Sequence, residues 1–302
     1  MERIVVPYVY GASDRSADDE RVLIEAGLSR VGLDAELRPI DWGRAYGIEA
    51  RQADLDWIVK RRFRQGRTAA ERRAMERLEA VVEQAEAGEP IELPATPGGR
   101  ARFGERTLLR FLWGRTMTIG TLSVMVDVLS YLRRPDGIVG YVTAQLDQIR
   151  TESEGRPVVA LGLSLGGIIL VDTLAARAGL PASAAGEEPP GPPVDLLVTV
   201  GSQSPFLLAC DALGELRRNG PRPLRPFVPW LNVWNPDDYL SYPAGPIFGD
   251  AVRPRAALRD VVGRDGAAFP AVHSRYWADE TTYQAIGSML ADLTAGRFAR
   301  RR

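Results

Sequence analysis

The sequence predicts an α/β fold: a mostly parallel central sheet, helices on both of its faces, and a helical insertion in the first half of the chain. Three observations lead there. Short apolar runs bounded by turn residues alternate with stretches of helical periodicity, the signature of strand–helix–strand units. The runs Ile4–Val9 and Val194–Val200 are almost continuously apolar, as strands covered on both faces must be. And Val158-Val159-Ala160-Leu161 leads through Gly162-Leu163-Ser164-Leu165-Gly166-Gly167 into the apolar helical stretch Ile168–Leu174. Strand, turn and helix follow in that order.

Taken along the chain, Ile4 to Tyr10 is a short apolar run that stops at Gly11-Ala12-Ser13-Asp14, a small polar cluster suited to a turn or a helix entry. Val22, Leu23, Ala26, Leu28 and Val31 then recur at helical spacing until Gly32, and Ala35 to Ile40 returns to a strand closed by Asp41-Trp42-Gly43. From Arg44 to Gly120 the rhythm breaks. Asp54–Phe63 and Ala69–Ala87 are charged helical patterns, Met75, Leu78, Val81 and Val82 falling on one face of the second. An insertion after a strand end sits where this fold class places its site, so 44–120 reads as a helical cap, with two surface helices or a dimer face as the plainer alternatives. The expected units are therefore a core of residues 1–43 with 121–302, and an insertion of 44–120.

Alternation then resumes. Val124–Leu132 reads as a strand, Ile138–Ile149 as a helix and Pro157–Gly162 as a strand. A Pro/Ala/Glu/Gly linker follows at Pro181–Pro193, with strands at Val194–Gly201 and Leu231–Trp234 and a final helix over Glu280–Phe298. No repeat and no phosphate-binding loop is present, since Gly162–Gly167 lacks the P-loop lysine.

Composition narrows the function classes. In 302 residues, 45% hydrophobic and 25% charged, the chain has the balance of an ordinary globular protein. A formal net charge of -1 offers no general attraction for nucleic acid or an anionic membrane surface. Lys60 is the only lysine, and the closing Arg300-Arg301-Arg302 reads as a solvated tail. A single cysteine, Cys210, rules out an intrachain disulfide and reads as a small buried apolar residue. One cysteine and one histidine do not make the usual zinc ligand sets, and the sequence calls for no cofactor. No apolar stretch approaches the roughly 20 residues of a membrane span. The first strand begins where a signal peptide would lie, so a cytoplasmic location is expected.

The elbow segment carries the chemistry. A serine on so sharp a turn has a strained backbone, and the flanking Gly162 and Gly166 lack the Cβ atoms that would collide. The amides that open the following helix point back at the serine, where negative charge is stabilised. The same string also fits a helix-starting loop with a structural serine, but His273, the only imidazole in the chain, is the one candidate base for Ser164. Asp237 and Asp238 follow the strand two beyond the elbow strand, where an acid can orient that imidazole. One of the two caps the turn after Asn235-Pro236; Asp238 is favoured as the acid and Asp237 as the turn residue.

With these residues the chain resembles the α/β-hydrolase superfamily of serine hydrolases, and more narrowly its lipase- and esterase-like bacterial members. The likeness lies in Gly162–Gly167, Thr199-Val200-Gly201-Ser202-Gln203, Asn232–Ser241 and His273-Ser274-Arg275-Tyr276-Trp277; 44–120 matches no cap of the family. It implies Ser164 as nucleophile, Asp238 as acid and His273 as base, in the chain order that fold uses. It implies an oxyanion hole made by the backbone amides of Leu165 and Ala12, although Tyr10-Gly11-Ala12 stands where members often carry His-Gly. The implied reaction is cleavage of a small-molecule ester or related acyl bond through an acyl-enzyme, with no cofactor. An acyltransferase shares that intermediate, and a catalytically silent fold that binds a ligand or protein is the alternative from another class. Trp42, Phe111, Trp113, Tyr239 and Trp277 are candidates for an acyl pocket or for plain core.

Overall fold

The computed structural model describes residues 3–11, 17–46, 131, 135–178, 191–209, 228–249, 257–267, 269 and 271–298. In chain order the elements are β1 (Ile4–Val9), α1 (Ala17–Arg30), β2 (Ala35–Ile40), α2 (Trp42–Tyr46), α3 (Pro135–Glu152), β3 (Val159–Leu163) and α4 (Leu165–Ala178). Then come β4 (Leu196–Val200), α5 (Ser204–Ala209), β5 (Trp230–Trp234), α6 (Gly245–Phe248), β6 (Leu258–Val262), two 3-10 turns (Ala271–Ser274 and Tyr276–Ala278) and α7 (Glu280–Thr294).

The six strands form one sheet in the order β2-β1-β3-β4-β5-β6, with every adjacent pair parallel. The central strands are wholly buried, which explains their unbroken apolar character. Alternate residues divide between two cores. Val5, Val9, Ala160, Leu197 and Trp230 face one layer with α3 and α4, whereas Val6, Tyr8, Leu161, Val198 and Val233 face the other with α1 and α7. Each such side chain contributes about 1.5–3 kcal/mol relative to exposure. The sheet is thus wound on both faces, and the chain reverses direction across it between β1 and β3. In open parallel sheets such a switch point, at the carboxyl ends of the strands, is where ligand sites are placed.

A row of polar side chains, buried at Thr199 and Asn232, runs across β4, β5 and β6. Thr199, Asn232 and Asp260 are register partners on β4, β5 and β6. Trp230 Nε1 donates to Thr199 Oγ1 (2.8 Å), Thr199 to Asn232 Oδ1 (2.8 Å), and Asn232 Nδ2 to Asp260 Oδ1 (2.8 Å). Asp260 also accepts from the amides of Ala244 and Gly245 at the start of α6.

Two readings of the sequence are corrected. Of the stretch 124–132 taken as a strand, the described residue Tyr131 is helical, and its hydroxyl donates to the buried Asp172 of α4 at 2.5 Å. A β-branched apolar run is ambiguous between the two states at that length. Strand β6 was not expected at all, because Arg259 and Asp260 interrupt its apolar pattern. The expected insertion lies outside the described residues from position 47 to position 120, as do Cys210, Phe111, Trp113 and the linker at 181–190. No helix among the described residues is long and apolar enough to cross a membrane.

Candidate active site

Ser164 occupies the single residue between β3 and α4, half-buried, with φ at 52°. Few residues other than glycine adopt this left-handed backbone, and they cluster at functional sites. The surroundings hold it there. The Ser164 N–H donates to the Val200 carbonyl at the end of β4 (2.9 Å), and its own carbonyl accepts from Ile168 N in the first turn of α4 (3.2 Å). A Cβ on Gly162 would lie 2.7 Å from Gly167 N and 2.8 Å from the Gly166 carbonyl, so that glycine does relieve crowding across the turn. Gly166 answers to a different neighbour: its Cβ would lie 2.1 Å from the Val9 carbonyl oxygen. The elbow is therefore pressed against the end of β1, and Gly11, just beyond β1, packs on Leu163 and Ser164.

Two other loops reach the serine. His273, in the 3-10 turn Ala271–Ser274, places Nε2 3.0 Å from Ser164 Oγ and Nδ1 2.8 Å from Asp238 Oδ2. The imidazole side chain is 19% exposed and the Asp238 side chain 0%. Water reaches the ring but not the carboxylate. Asp238 Oδ1 accepts from Leu240 N (3.0 Å), and Oδ2 accepts a second bond from the Tyr276 hydroxyl (2.8 Å). Asp237, by contrast, is exposed, and its amide donates to Asn235 Oδ1 (2.9 Å). It belongs to an Asx-type turn.

Neighbouring residues fix this acid loop. Asn235 Nδ2 donates to the carbonyls of Gly263 and Asp265 beyond β6, and Gln203 Nε2 donates to the Leu240 carbonyl (2.6 Å) and to that of Gly201 (3.1 Å). Gly201 has φ at 60°, and a Cβ there would press on the Tyr276 ring at 2.8 Å and His273 Cε1 at 3.4 Å. The backbone beyond β4 is thus the floor under the imidazole. Burial first, and then the Asp238 charge, push the Tyr276 phenol well above its ordinary ionisation range.

Leu165 opens α4, so its N–H is among the first-turn amides with no acceptor inside the helix. Ala12 lies outside the described residues; a Cβ on the adjoining Gly11 would stand 3.2 Å from Ser164 Cβ. Of the aromatic candidates, Trp42 and Trp277 are core and Tyr239 is 55% exposed. Tyr276, Ser241, Asn235 and Gln203 lie within the segments that carry the resemblance, but the sequence assigns none of them a role. Its place three residues after the only histidine is the signal that points to Tyr276. No group of three or more metal-ligating side chains occurs among the described residues.

The parallel sheet with a serine elbow beside its switch point is the α/β-hydrolase architecture. No family model and no curated protein matches the sequence. Among solved structures, the chain is similar to the esterase domain of a Rhodothermus marinus protein, at 12% identity over 98% of this chain and 86% of that one (TM-score 0.33). It is also similar to a Xanthomonas campestris pv. campestris protein described as a hydrolase of the alpha/beta superfamily, at 15% identity over 96% and 98% of the two chains (TM-score 0.34). At such scores the superpositions carry no weight of their own, and the fold rests on strand order and elbow.

Proposed function

We propose that the chain is a serine hydrolase that cleaves a carboxylic ester, or a related acyl bond, of a small molecule through an acyl-enzyme. The observation that carries this reading is the continuous relay from Ser164 Oγ through the His273 ring to Asp238, with contacts of 3.0 and 2.8 Å, built on a strained elbow. Alone, a serine hydroxyl is a weak nucleophile at neutral pH; an imidazole within hydrogen-bond reach activates it.

In the proposed reaction Ser164 Oγ attacks the acyl carbon while His273 Nε2 takes its proton. Asp238, shielded from water, holds Nδ1–H in the required tautomer and stabilises the imidazolium. The carbonyl oxygen becomes an oxyanion and is received by the Leu165 amide, with the Ala12 amide as the second donor. Collapse of this adduct breaks the bond to the leaving alcohol, which departs with the proton from His273. Water then attacks the acyl-serine, giving its proton to the same imidazole, and the acid leaves as Ser164 recovers its hydrogen. No cofactor enters this cycle.

A fluorophosphonate probe, followed by mapping of the labelled peptide, tests the reading. Modification at Ser164, blocked by prior incubation with a small ester, is the expected result. A folded protein that never reacts would overturn it and leave a ligand-binding role. Product analysis with an added alcohol separates hydrolysis from acyl transfer, since only transfer yields a new ester.

A further inference from the structure

The Asp238 carboxylate is engaged from three sides, and only one of those contacts belongs to the Ser164–His273 relay. Its Oδ2 accepts from His273 Nδ1 and from the Tyr276 hydroxyl, each at 2.8 Å, while Oδ1 accepts from Leu240 N. With no solvent on this side chain, these donors are its whole solvation among the described residues. The Tyr276 oxygen also lies 3.0 Å from Ser241 Oγ. A carboxylate can only accept, so the phenolic proton goes to Asp238, and the Ser241 hydroxyl serves the loop carbonyls of Asn235 and Asp238.

From this arrangement we infer that Tyr276 is a positioning residue for the reaction proposed above: by sharing Oδ2 with His273, its hydroxyl fixes the carboxylate and tempers its pull on the imidazole. Two donors on one oxygen compete for the same electron density. The charge on Asp238 is therefore shared between the Tyr276 hydroxyl and the imidazole. Orientation is served by the same contact. Tyr276 sits two residues beyond the 3-10 turn that carries His273, in a second turn capped at Asp279 and covered by α7. Acid and base are thereby tied to one short segment.

Among the described residues, few other charges face this cluster. Arg275 turns away to Asp265 (2.7 Å), Asp279 accepts from the amides of Thr281 and Arg264, and Asp237 is exposed on the far side of its turn. Tyr8 and Tyr10 pack in the neighbouring core, where the Tyr8 hydroxyl is bonded to Glu20. Among the described residues, Asp238, His273 and Tyr276 form the ionisable set of this cluster.

Because His273 is the only histidine in the chain, its imidazole resonances titrate without overlap and report on the inference independently of activity. In Tyr276→Phe the titration midpoint is expected to move to higher pH, as Asp238 turns its full charge on the ring. On the alkaline plateau kcat for a p-nitrophenyl ester falls about tenfold with KM unchanged, the scale of one hydrogen bond to a charged group. In an Asp238→Asn background the same substitution changes kcat less than about twofold, because residues acting through one another are not additive. Site-specific 3-fluorotyrosine at 276 keeps the ring and strengthens the donor, so the midpoint moves to lower pH; this arm decides the matter should Tyr276→Phe not fold. A midpoint unmoved by either replacement, or moved the same way by both, overturns the inference. An inert wild-type protein whose midpoint still moves as described would overturn the hydrolase reading and leave the Tyr276–Asp238–His273 coupling intact.

Discussion

Gly166 lies so close to Val9 that a Cβ on the one would stand 2.1 Å from the carbonyl oxygen of the other. The first turn of α4 and the end of β1 meet backbone to backbone, with no side chain that could give way. Gly166→Ala is therefore expected to destabilise the fold by about 1–3 kcal/mol or more, the cost of overpacking a rigid contact. Since the elbow must move to make room, turnover should fall with stability. Denaturant midpoints and ester turnover of the purified variant check both; an alanine variant with wild-type values would show that the two elements separate easily.

Ser164 carries a backbone cost that its replacement can separate from its chemistry. Both Ser164→Ala and Ser164→Gly should lose nearly all turnover, on the order of 10⁶ in kcat. They differ in stability. At φ 52° alanine keeps the left-handed penalty and glycine does not, so the glycine variant should be the more stable by about 1 kcal/mol. Thermal melts of the pair measure this directly, and equal melting points would mean that the turn relaxes when the serine is removed.

The two adjacent aspartates should behave unlike each other. Asp238→Asn keeps the shape of the buried group but favours the wrong imidazole tautomer, with an expected loss of about 10⁴ in kcat. Asp237→Asn changes an exposed side chain and should leave turnover within about twofold of wild type, as surface substitutions away from a site usually do. Parallel kinetics on a p-nitrophenyl ester decide between them. A larger loss for Asp237→Asn would exchange the roles.

Alkaline stability follows from three buried phenols. Tyr8 is pushed well up by burial and then by the Glu20 charge, Tyr276 by burial and then by Asp238, and Tyr283 by burial. Above pH ~10 the unfolded chain ionises these groups while the folded one keeps them protonated. The unfolded state then binds fewer protons, so stability falls as pH rises, by about 1.4 kcal/mol per pH unit for each phenol. Unfolding, followed by circular dichroism, should therefore set in above pH ~10, and Tyr283→Phe should make the decline in stability with pH shallower. A decline as steep in Tyr283→Phe as in the wild type would show that this phenol does not contribute to the loss.

How far the fold could be read in advance depended on how local its signals are. Strands β1 and β4 are apolar runs, β2 alternates apolar residues with Glu36 and Arg38, and the β3–α4 junction is written in two glycines around a serine. Strand β6 could not be read that way. Its Arg259 bonds to Asp292 on α7, and its Asp260 receives amides from Ala244 and Gly245, partners that no window around Leu258–Val262 contains. The same holds within the site. A single histidine limited the choice of base to one residue, but what distinguishes Asp238 from Asp237 is contact with His273 and Tyr276, 35 and 38 residues away. Tyr276 itself looked like any aromatic residue in an apolar turn. Its hydroxyl acquires meaning only when β5 and the last 3-10 turns are brought side by side.

The polar row across β4, β5 and β6 acts as a proof-reading device for the assembly of the sheet. Trp230, Thr199 and Asn232 are buried with their hydrogen bonds satisfied along the row. Were β5 to slip by one residue during folding, every side chain on it would change face. Each polar group stranded among aliphatic side chains would then cost about 1–3 kcal/mol. An apolar row would tolerate that error far better, since one valine or leucine substitutes readily for another. Misaligned sheets are thus rejected several times over at once. Asp238, in the loop that follows the end of β5, is delivered to its post by a strand that can be accepted in only one alignment.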